Sequence, residues 1–114
     1  MKIIKKKRIF KVKIGKTEIK LKDMAKITLK KNEQVTFKNS NSEYDVTKKD
    51  WGYYATPSIN GRLKGFGFRT FLIQNKNNML YIFLVHKDKM KNFRKYCKDD
   101  RQKILYELTN GIRN

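Results

Sequence analysis

One cysteine, one histidine and one proline stand in 114 residues, and ten acidic side chains face twenty-nine basic ones. The lone Cys97 excludes an internal disulfide and fits a reducing compartment. With a single His86 beside it, there are too few ligands for a structural zinc site. No Gly-rich loop ends in Lys-Ser or Lys-Thr to cradle phosphates, and no carboxylates recur at metal-ligand spacing. Ser58 and Asp50 lack a base partner, so no catalytic constellation is visible. No run approaches the ~20 apolar residues of a membrane span, and the basic start from Met1 to Arg8 is not followed by the apolar stretch of a secretion signal. These absences describe a cytoplasmic, non-enzymatic chain with no membrane, metal or cofactor.

What the chain has instead is positive charge, a formal +19 distributed unevenly. Met1 to Lys31 holds thirteen basic and two acidic residues, Asn32 to Gly61 three and four, and Arg62 to Asn114 thirteen and four. Like charge at that density repels itself, and a polyanion that neutralises it is favoured. The chain is also rich in Asn and Ile, the composition an AT-rich genome tends to produce. Such a bias raises acidic and basic residues together, whereas here only ten are acidic.

An apolar fraction of 39% with 12% aromatics supplies one modest core, so residues 1–114 read as a single domain with 1–8 a candidate disordered basic tail. Phe10, Val12 and Ile14 alternate with lysines, Gly15 punctuates, and Thr17, Ile19 and Leu21 alternate again, which is a hairpin pattern. Ala25, Ile27 and Leu29, then Val35 and Phe37, continue the period. The first forty residues therefore predict a four-stranded antiparallel meander, apolar on one face and lysine-covered on the other. A fifth strand from Glu43 is expected to turn Tyr44 and Val46 inward and Glu43, Asp45 and Thr47 outward. An aromatic turn, Trp51 to Ala55, follows it.

Thr56 before Pro57 signals a short helix carrying Ile59, Leu63 and Phe66 on one face and stopped by Gly65 and Gly67. Arg69 to Asn75 and Met79 to His86 form a strand pair across Lys76-Asn77-Asn78. The second strand is apolar on both faces and is expected to be central. Asp88 is placed to cap a helix through Lys98, with Met90, Phe93 and Cys97 inward. Lys103 to Leu108 reads as the last strand. The expected class is α+β: a curved, mainly antiparallel sheet or small open barrel with two short helices. Similar runs occur in small Sm-like or SH3-like barrels.

The most specific local motif is Lys64-Gly65-Phe66-Gly67-Phe68-Arg69-Thr70-Phe71. It resembles the octamer of the RNA recognition motif at every position but the sixth, where Arg69 replaces an aliphatic residue, and Val35 to Asn39 is faintly similar to the companion hexamer. The resemblance implies a strand whose Phe66, Phe68 and Phe71 stack on bases, with Lys64 on phosphate. A second, broader stretch, WGYYATPSINGRLKGFGFR with NEQVTF upstream and YIFLV downstream, resembles a family of short uncharacterised bacterial and phage-type proteins with a W-G-x-Y-A-T-P-S-x-N-x-R-L core. That family implies no activity. It sets apart Trp51, Tyr53, Tyr54, Thr56, Ser58, Asn60 and Arg62.

Tyr and Trp offer stacking faces with polar handles, Arg62 offers a forked donor, and the start of the Pro57 helix offers free N–H groups to an anion. The expected partner is RNA or single-stranded DNA, or another polyanion. Its site comprises Trp51, Tyr53, Tyr54, Ser58, Asn60 and Arg62, then Lys64, Phe68 and Arg69, with Lys11, Lys13, Lys91, Arg94 and Lys95 on phosphates. The competing expectation is a structural or assembly protein, homo-oligomeric or bound to another protein, whose charge serves solubility. If the Trp51 to Arg62 group is scaffold and not site, Thr56 caps the helix, Trp51 and one Tyr lie in the core, and Arg62 pairs with Asp45 or Asp50.

Overall fold

In the computed structural model, which describes residues 1–112, ten strands and one α-helix follow one another among the described residues. They are β1 (Lys2–Ile4), β2 (Arg8–Ile14), β3 (Thr17–Asp23), β4 (Lys26–Thr28), β5 (Gln34–Asn39), β6 (Ser42–Lys49) and β7 (Gly52–Ala55). After a π-helical turn (Ile59–Leu63) come β8 (Phe68–Gln74), β9 (Leu80–His86), α1 (Met90–Asp99) and β10 (Lys103–Glu107). All pairings are antiparallel: β1 with β4, β2 with β3, β5–β6–β7, and β10–β8–β9. The result is a small, mostly β, α+β fold in separate sheets, not a closed barrel.

The expected meander is therefore broken into pieces. β2 and β3 pair only with each other, and β4 is taken by β1, which forms inside the stretch expected as a tail. Pairing with β1 sets Ile3 against Ile27 and Ile4 against Lys26, so no two lysines face each other there, whereas within the hairpin Lys11 lies directly opposite Lys20. The hairpin attaches instead through its tip. Gly15 turns at φ 61°, and a Cβ there would fall 2.6 Å from the Asp99 carbonyl oxygen, so the tip abuts the end of α1 with room only for glycine.

The core lies between α1 and the β10–β8–β9 sheet. Phe71, Ile73 and Val85 from the sheet meet Met90, Phe93 and Cys97 from the helix, with Phe83 and Tyr96 packed at the margin. Phe93 stacks on Phe71 at 5.3 Å between ring centroids and tilts against Phe83 at 5.9 Å. Each such buried side chain contributes about 1.5–3 kcal/mol of transfer free energy. The helical spacing expected for Met90, Phe93 and Cys97 is realised. Asp88 does not cap it: the residue preceding α1 is Lys89, which makes no side-chain cap, and Lys87–Lys89 form a 3₁₀ turn.

Two expectations about strand position are overturned. The apolar β9 is an edge, because β10 returns to the far side of β8 and makes β8 the central strand. On β6, Asp45 and Thr47 are buried, at 4% and 7% exposure, as is Ser42 at the strand's start, while Tyr44 and Val46 are only half-buried. Polar partners make this inversion possible. Thr47 donates to the Gln34 side chain at 3.0 Å, and Asp45 sits under the π-helical turn among hydrogen-bond donors.

Candidate functional site

Gly52–Ala55 is not a loose aromatic turn but β7, paired with β6 in register Lys48↔Tyr53 and Thr47↔Tyr54. Successive strand residues point to opposite faces, so the hairpin displays rings on both sides. On one side Tyr53 lies under Lys48, with Nζ 5.2 Å from the ring centroid. On the other, Tyr54 stacks with Trp51 at 6.0 Å and 24° between planes. Trp51 is 70% exposed and Tyr53 62%. Lysines surround the tip: Lys49 Nζ donates to Asn32 Oδ1, and Lys31 lies 3.9 Å from Asp50.

The Tyr54 side continues into a polar network. Tyr54 is opposite Thr47, and Asp45, two residues along β6, faces the same way. Arg62 reaches Asp45 Oδ2 at 2.7 Å and donates to the Thr56 hydroxyl at 3.0 Å, while Thr56 donates to the same Oδ2 at 3.1 Å. The Asp45 carboxyl is held below its ordinary value first by the Thr36 hydroxyl across the strand pair, then by Thr56 and Arg62, against the opposing effect of burial. Thr56 is thus committed to this network and does not cap the helix. Ser58 does, accepting from the Arg62 N–H at 3.2 Å. Asn60 leaves the group: its Nδ2 lies 3.3 Å from where a Gly111 Cβ would be.

The octamer is divided between elements. Lys64 and Gly65 close the helical turn, Phe66 and Gly67 form the bend, and only Phe68 to Phe71 lie on β8. Phe71 is in the core and cannot meet a base. Phe68 packs on the His86 ring at 4.4 Å. Lys64, Phe68 and Arg69 line an open cleft of about 390 Å³ with Lys87 and Glu107. Arg69 is not available to phosphate, because it forks onto Glu107 at 2.8 and 2.7 Å. That pair, with the Thr109 hydroxyl at 2.7 Å, holds the Glu107 carboxyl down to about 2, and the Arg69 guanidinium is correspondingly raised.

The remaining cations lie on two exposed faces. Lys11 is 3.7 Å from Glu18, and Lys13 lines a cleft with Lys16, Lys76, Asp99, Asp100 and Arg101 where the hairpin meets α1. Lys91, Arg94 and Lys95 are exposed on α1, with Lys95 bonded to Asp99. The structure thus groups Trp51, Tyr54 and Arg62 on one face, with Tyr53 behind them. Lys64, Phe68 and Arg69 form a second group, and the lysine faces stand apart.

Sequence reasoning missed Lys48, which sits against Tyr53, and Lys87, whose stem runs along Gly67. Reading Gly52–Ala55 as a strand would have found Lys48 opposite Tyr53. Cys97 is buried, and burial pushes its thiol up, away from a reactive thiolate. Among the described residues, no helix is long and apolar enough to cross a membrane. Comparison with protein-family models, with curated proteins and with solved structures finds no match.

Proposed function

We propose that the chain is a non-enzymatic binding module for single-stranded nucleic acid, taking unpaired bases on the Trp51 and Tyr54 rings and phosphates on the surrounding lysines. The observation that carries this reading is the pair of stacked, exposed rings at the tip of a lysine-bordered hairpin. Large rings left in water are costly unless something covers them, and a base covers a ring face at about 1–3 kcal/mol per stack. Bases inside a duplex offer no free faces. The module therefore favours unpaired strands, with the cations of β2, β3 and α1 adding contacts that do not depend on sequence.

Trp51 is the only tryptophan, so its emission reports directly on this tip. Titration with a single-stranded oligonucleotide quenches it, and a duplex of equal length at equal phosphate concentration quenches it much less. Binding seen by another method with no change in Trp51 emission removes the rings from the site.

A further inference from the structure

Met79, Leu80, Tyr81 and Ile82 are 59, 59, 46 and 52% exposed. Neighbouring residues of a strand point to opposite faces, so exposure of Leu80, Tyr81 and Ile82 in a row leaves both flanks of β9 uncovered here, and the strand order leaves its outer edge open. This edge is also chemically unprotected. Leu80 to Val85 contains no charged residue, Pro or Gly, and its pairing with β8 runs without a bulge. Other outer strands carry safeguards against edge pairing: Lys2 on β1, Lys26 on β4, Lys38 on β5, lysine rows on β2 and β3, and Lys103 with a bulge on β10. The remaining one, β7, spans only four residues.

We infer that β9 pairs antiparallel with β9 of a second copy along Leu80–His86 and joins two three-stranded sheets into one of six strands. A strand apolar on both faces fits a partner that is apolar on both faces, and β9 meets that requirement over the six residues Leu80 to Val85. Pairing a strand with itself about a two-fold axis is self-complementary, since every contact occurs twice. Beside the edge runs a groove of about 560 Å³, bordered by Phe83, Phe93, Asn92 and Tyr96, which takes the inward side chains of the incoming strand.

The chain as a whole has more surface than one such interface needs. The chain exposes 9090 Å², whereas a compact monomer of its mass exposes about 6,600 Å². The excess of about 2,500 Å² is several times the ~800 Å² each partner buries in an ordinary interface. Repulsion between two chains of +19 opposes the pairing, but β9 itself carries no formal charge, so the repulsion acts over distance and salt screens it. The dimer therefore tightens as salt rises, opposite in sign to nucleic-acid binding, and it stands or falls independently of that reading.

Sedimentation equilibrium of the full chain, free of nucleic acid, from about 5 to about 200 µM at low salt and at about 0.5 M salt tests it. A monomer–dimer equilibrium that tightens with salt is expected. Ile82→Lys, at an exposed position, keeps the circular dichroism of the native chain and weakens the dimer by at least about tenfold. Amide exchange across Leu80 to His86 in the unsubstituted chain slows as protein concentration rises. A monomer under every condition, a dimer that Ile82→Lys leaves intact, or exchange in β9 that ignores concentration overturns the pairing.

Discussion

Arg62 holds Asp45 across seventeen positions of chain, its Nη2 2.7 Å from a carboxylate oxygen that is almost wholly shielded from water. The pair ties the π-helical turn to β6 and fixes the face on which Tyr54 and Trp51 lie. Removing the guanidinium leaves a buried carboxylate with only hydroxyl donors. Arg62→Ala is expected to destabilise the fold by about 2 kcal/mol, because an orphaned buried charge costs more than the pair contributes while half of Arg62 remains in water. Asp45→Asn, which keeps the shape and removes the charge, costs less. Chemical denaturation of the two variants checks the order.

Acid acts on the same kind of contact at a second place. Glu107 titrates near 2 in the folded chain against an ordinary 4.5, chiefly because Arg69 donates two hydrogen bonds to it. A carboxyl whose folded value is depressed binds more protons when unfolded. Its stabilisation is thus complete above about pH 4.5 and is lost as pH falls toward 2. Asp45 shifts in the same direction and adds to the loss. Stability measured at neutral pH, near 4 and near 2.5 should fall in that order, and Glu107→Gln should flatten the profile.

Trp51→Ala and Tyr54→Ala separate binding from folding. Each removes a ring that water already touches, so the unfolding free energy changes by no more than about 0.5 kcal/mol. Affinity for single-stranded nucleic acid falls by about 1–3 kcal/mol per ring. Fluorescence anisotropy of a labelled strand measures the second quantity and thermal melting the first. A variant that loses stability without losing affinity places these rings in the scaffold.

Gly15→Ala tests how the lysine-rich hairpin is attached. The residue sits at positive φ with a carbonyl oxygen where the new methyl must go, so the substitution costs about 1–2 kcal/mol or frees the hairpin tip from α1. Lys16→Ala at the next position does neither. Proteolysis within residues 1–23 distinguishes a detached hairpin from general unfolding.

Period-two alternation made β2, β3 and β8 legible even though β2 and β3 bury no residue, and the helical spacing of Met90, Phe93 and Cys97 located the core face of α1, because both signals are local. Strand partnership was not local. Nothing in Leu80 to Val85 says whether the apolar run is flanked by two strands or one, since that depends on where β10 returns. The burial of Asp45 was hidden for a different reason. An acidic residue is ordinarily placed outside, and only the arrival of Arg62 and Thr56 from later in the chain makes the inside affordable. Trp51, Tyr53 and Tyr54 are exposed, whereas Arg69 is occupied by a carboxylate thirty-eight residues away.

Whether cations and open rings together hold an unpaired polyanionic strand is read from the affinity for a labelled single strand measured across a series of salt concentrations. With about five phosphates neutralised, a plot of log association constant against log salt should be linear with a slope near −3.5. A slope near zero, or no association at the lowest salt, overturns the proposed binding.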